Sequence, residues 1–67
     1  MTKKVKELIR MMEEDGWYFV RERGDHKIYR KDGMPRVVSV PGKMNEDVPE
    51  GLCSRILRET GLNNKRS

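Results

Sequence analysis

The run Trp17-Tyr18-Phe19-Val20-Arg21-Glu22-Arg23-Gly24-Asp25-His26-Lys27-Ile28-Tyr29-Arg30-Lys31 decides the fold. It begins with four consecutive residues of high β propensity, breaks at a Gly-Asp pair and resumes as a second strand-forming stretch. With Gly24-Asp25 as a two-residue loop, the run closes a hairpin. Arg23 then faces His26, Glu22 faces Lys27 as a cross-strand charge pair, Arg21 faces Ile28 and Val20 faces Tyr29. Asp32-Gly33 marks a second turn, and Val37-Val38-Ser39-Val40 supplies a third strand that stops at Pro41-Gly42.

Outward from this meander the period changes. On the N-terminal side, Val5, Leu8, Ile9 and Met12 recur at i, i+3, i+4 and i+7, the apolar stripe of an amphipathic helix. Thr2 is placed to cap its start and Gly16 to end it in a left-handed turn. On the C-terminal side, residues 42–48 read as a loop and Pro49 fits the first turn of a helix. Leu52, Cys53, Ile56 and Leu57 make one face of that helix, and Gly61 ends it with Leu62 placed for a hydrophobic contact. Asn63 to Ser67 reads as a frayed polar tail. Helix, three antiparallel strands and helix predict an α+β two-layer sandwich over residues 1–62, with both helices on one face of the sheet. The other face is left to solvent or to a ligand.

Composition narrows the function classes. A chain of 67 residues holds one domain, and its 34% of hydrophobic residues includes no run long enough to span a membrane. Met1 to Glu7 lack the apolar segment of a secretory signal. The single Cys53 excludes an internal disulfide, and one histidine with one cysteine cannot supply the four ligands of a structural zinc site. No metal or other cofactor is expected, and the cysteine usage suits a reducing, cytoplasmic setting. The net charge is +4, and the excess is concentrated between residues 17 and 40. There Arg21, Arg23, Lys27, Arg30, Lys31 and Arg36 oppose Glu22, Asp25 and Asp32. A basic middle suits a phosphate-bearing partner, and equally an ordinary solvated sheet.

His26 is the residue with the most chemistry to offer. It is the only histidine, it adjoins the tight turn, and an imidazole takes and returns a proton near neutrality without a metal. Arg21, Arg23, Lys27 and Arg30 surround it in sequence with cations able to hold a phosphodiester. Trp17, Tyr18, Phe19 and Tyr29 are candidates to stack nucleobases, although a domain with few other large side chains needs at least two of them in its core. Cys53 reads as a small buried hydrophobe on the helix stripe rather than a nucleophile. Glu46, Asp47 and Glu50 suit a helix N-terminus and give no paired-carboxylate catalyst.

Taken together, the segments resemble the HicA (YcfA-like) family of toxin–antitoxin ribonucleases. The matching features are the leading helix around Lys6-Glu7-Leu8-Ile9-Arg10-Met11-Met12, Gly16-Trp17 entering Val20-Arg21, and Arg23-Gly24-Asp25-His26. Val37-Val38-Ser39-Val40-Pro41 follows, then Val48-Pro49-Glu50-Gly51-Leu52 leading into Ile56-Leu57-Arg58-Glu59-Thr60-Gly61-Leu62. The resemblance covers residues 3–62. It implies a fold like the double-stranded-RNA-binding domain, a metal-independent endoribonuclease acting on mRNA, and a HicB-like antitoxin as protein partner. No membrane association and no DNA contact by this chain alone are expected. The family's catalytic histidine falls on His26. Asp25 stands where the family signature Gly-Ser-His has serine, and Lys27 where a second histidine is common. A non-catalytic RNA-binding or scaffold domain of the same fold is the alternative. Against its duplex-binding form, the start of the second helix reads Pro49-Glu50-Gly51-Leu52, without the lysines that grip phosphates.

Overall fold

A computed structural model describes residues 3–62. In chain order the elements are β1 (Lys3–Lys4), α1 (Val5–Glu14), β2 (Tyr18–Arg23), β3 (His26–Arg30), β4 (Val38–Pro41), β5 (Asp47–Val48) and α2 (Glu50–Thr60). The fold is α+β: β2, β3 and β4 form a three-stranded antiparallel meander in that spatial order, preceded and followed by a helix.

The helices cover one face of the sheet because their apolar stripes have nowhere else to go. Val5, Leu8, Ile9 and Met12 of α1 and Ile56 of α2 are buried against Tyr29, Val38 and Val40 of the sheet, with Trp17 and Val48 completing the core. Leu52, Cys53, Leu57 and Leu62 pack around it, so Cys53 takes the apolar role expected of it. The Trp17 indole N–H is buried and has no hydrogen-bond partner among the described residues.

The end of α1 shows how closely the chain is tied. Gly16, at φ +106°, takes the left-handed position, its N–H donating to Glu13 O at 3.0 Å while Trp17 N–H reaches back to Met12 O at 3.0 Å. This is a Schellman stop, and it delivers Trp17 into the core. Asp15 beside it is bridged by Lys31 Nζ at 2.9 Å, joining the end of α1 to the end of β3.

The structure departs from the expectations at several points. Residues 42–48 are not all loop: β5 pairs antiparallel with β1, Lys3 opposite Val48 and Lys4 opposite Asp47, with a 2.9 Å ion pair from Lys4 Nζ to Asp47 Oδ1. The first N–H groups of α1 are also satisfied from that segment, Val5 by Glu46 O at 2.8 Å and Lys6 by Met44 O at 2.9 Å. The N-cap of α1 is Lys4, whose N–H donates to Glu7 Oε1 at 2.8 Å. Thr2, expected in that role, and the tail from Asn63 to Ser67 lie outside the described residues. Pro49 sits at the N-cap of α2, one position before its first turn. Finally, the β2–β3 register slips: Arg23–His26, Glu22–Lys27 and Arg21–Ile28 pair as expected, but Tyr29 faces Phe19 and Arg30 faces Tyr18. Val20 is left over as a bulge, because an extra residue on one strand shifts every pair beyond it by one.

Candidate functional site

The hairpin loop fixes where His26 stands. Gly24 has φ +56° while Asp25 keeps a negative φ, the pattern of a two-residue loop with glycine first, so an L side chain at 24 would strain the turn. Asp25 O accepts from Gly42 N–H at 3.0 Å, which clamps the loop to the end of β4. His26 is thus the first residue of the central strand, with Arg23 on one side and Pro41 on the other.

Side chains alternate along a strand, and burial says which face is which. Tyr29, Val38 and Val40 point toward the helices. His26, Ile28 and Arg30 therefore point away from them, together with their partners across the sheet. The uncovered face reads as three rows. Arg23, His26 and Pro41 form the first, Arg21, Ile28 and Ser39 the second, and Tyr18 and Arg30 the third. Side chains directly opposite one another stand about 5 Å apart at Cβ.

Of the residues singled out from the sequence, His26, Arg21, Arg23 and Arg30 are brought together on this face, all exposed. Lys27 is not. It points to the helical side, where its Nζ donates to Gly42 O at 3.1 Å and lies 4.0 Å from Glu22 Oε2. That side carries a depression of about 240 Å³ lined by Glu22, Asp25, Lys27, Gly42, Lys43 and Glu46, of mixed charge and turned away from the imidazole. Ser39 and Pro41 complete the histidine's surroundings and were not foreseen, because the seven residues between β3 and β4 hide the register from the sequence.

The electrostatics of the open face are simple. Arg10, Arg55, Lys4 and Lys31 are each in an ion pair with a carboxylate. Among the described residues, none of Arg21, Arg23 and Arg30 has such a partner. The face thus offers three guanidinium groups and one imidazole to an outside anion. Among the described residues no group of three or more His, Cys, Asp and Glu is placed to hold a metal ion. Nor is any helix long and apolar enough to cross a membrane.

Comparison with known proteins adds the family. The model of the family described as HicA toxin of bacterial toxin-antitoxin matches residues 5–62, from the first turn of α1 to the end of α2. The chain belongs to the HicA toxin family. The match takes in the whole hairpin and all of the uncovered face. Membership in a HicA family also brings an antitoxin as the protein's counterpart. A search of curated proteins finds no match.

Proposed function

We propose that this HicA-family chain is a metal-independent endoribonuclease that inhibits translation by cutting mRNA in the cytoplasm. The supporting observation is the uncovered sheet face, on which the sole histidine stands among three arginines that have no ion-pair partner among the described residues. His26 accepts the proton of a ribose 2′-OH as that oxygen attacks the adjacent phosphorus. Arg23, beside it in the same row, and Arg21, one row on, stabilise the charge that builds on the phosphoryl oxygens. The bond to the 5′-oxygen breaks, and the proton held by His26 or one from water goes to that leaving oxygen. The products are a 2′,3′-cyclic phosphate and a 5′-hydroxyl. Arg30 lies further along the same strand and holds the RNA backbone rather than the reacting phosphate. Lys27, facing the other way, has no part in this scheme.

The test is cleavage of RNA by the purified chain in excess chelator, with the ends of the products identified. His26→Ala should lower the rate by roughly 10²–10⁴-fold, the usual worth of a general base, and abolish growth inhibition with an unchanged circular dichroism spectrum. Retained cleavage in the folded variant, or metal-dependent 3′-hydroxyl ends from the parent chain, would overturn the scheme. Binding of RNA without cleavage by the parent chain would favour the non-catalytic alternative.

A further inference from the structure

Four aromatic side chains lie within the described residues, and three are accounted for on the helical side. Trp17 and Tyr29 are buried, and Phe19 packs edge-on against Tyr29 with ring centroids 5.8 Å apart. Tyr18 is different. Its exposure, 47% against 50% for Phe19, does not set it apart, but its place does: it lies on the same uncovered face as His26 and directly across from Arg30. A lone exposed aromatic is ordinary in itself. What sets this one apart is the bulge. Were Val20 paired, Tyr18 would fall on the helical side and Phe19 on the open face; the extra residue reverses the two.

We infer that Tyr18 forms a nucleobase subsite, in which one unpaired base of the RNA stacks on the phenol ring while Arg30, directly across, holds the adjoining backbone. The inference rests on the reading that the scissile phosphate sits at His26. Arg30 is four residues along β3 from His26, a distance of about 13 Å at a strand rise of ~3.3 Å per residue. That corresponds to about four nucleotides at a stacked rise of ~3.4 Å, and to fewer in an extended strand. Arg21 lies between the two positions, one row from each, so a strand running from the reacting phosphate to Tyr18 passes beside it. Aromatic rings recognise bases only when these are unstacked, so the ligand is single-stranded RNA. Tyr18, with two rotatable angles, offers its ring at a small entropic cost.

The experiment uses an RNA of about ten nucleotides, 2′-O-methylated throughout so that it cannot be cut, with 2-aminopurine at successive positions. Tyr18→Ala should weaken binding by about five- to a hundred-fold and abolish fluorescence quenching at one position, whereas Tyr18→Phe and Tyr18→Trp should retain both. The unmethylated RNA should be cut more slowly by Tyr18→Ala, while a dinucleotide, too short to reach the subsite, should be cut at the parent rate. Affinity within about twofold of the parent together with unchanged quenching would overturn the subsite, as would an equal effect on a duplex of the same sequence. Absence of cleavage by the parent chain would overturn the nuclease reading instead, and the binding measurements would still decide Tyr18.

Discussion

At the scale of single residues, part of the candidate site was legible in the sequence. His26 stood out as the one proton carrier next to a tight turn, and Arg21 and Arg23 followed by alternation. The same alternation places Lys27, the immediate neighbour of His26, on the opposite face, so nearness in sequence was the wrong measure of nearness in space. Tyr29 yields a prediction of its own. Burial, and secondarily the charge of Glu13, hold its phenol above the ordinary value of 10.0. The folded chain thus binds that proton more tightly than the unfolded chain does. The resulting stability is complete below pH 10 and drains away as the pH rises through the folded value. Denaturant unfolding of the parent chain should weaken across that alkaline range more than unfolding of Tyr29→Phe. The two proteins differ only at that ring, so the difference between them isolates the phenol.

At the scale of elements, both helices and the three strands of the meander were readable because each carries its own period. The stripe of Val5, Leu8, Ile9 and Met12 has no competing interpretation as a strand, and Gly24-Asp25 marks the hairpin without help from elsewhere. The bulge was hidden because counting outward from the loop assumes one residue opposite one, whereas Val20 is left over and Phe19 meets the Tyr29 ring. The β1–β5 ribbon was hidden for another reason: two residues show no period, and their partners are far away in the chain. The hairpin loop offers a direct test. Gly24→Ala forces an L residue to a φ near +56°, and unfolding in urea should show a loss of about 1–2 kcal/mol. A loss below about half a kcal/mol would mean that the turn has changed type.

At the scale of the whole molecule, one layer is apolar and covered while the other is basic and bare. An antitoxin that silences this HicA chain by covering the bare face would set acidic groups opposite Arg21, Arg23 and Arg30. Association should then slow as salt rises past roughly 0.15 M, where screening acts within about 8 Å. Arg21→Glu combined with Arg23→Glu should weaken the complex more than tenfold, roughly 1.4 kcal/mol or more, while Lys6→Glu on α1 should not. Equal affinities for the two variants, measured by calorimetry, would place the antitoxin on the helices.

The ribbon and the caps beside it also set a timetable. The carbonyls that satisfy the first turn of α1 belong to Met44 and Glu46, which leave the ribosome roughly forty residues after the helix they serve. At ordinary synthesis rates of about 5–20 residues per second, that is a delay of about 2–8 s. Until then α1 is a bare ten-residue segment, shorter than an isolated helix needs to persist in water. The packed domain therefore closes only after residues 44–46 have emerged to meet the first turn of α1.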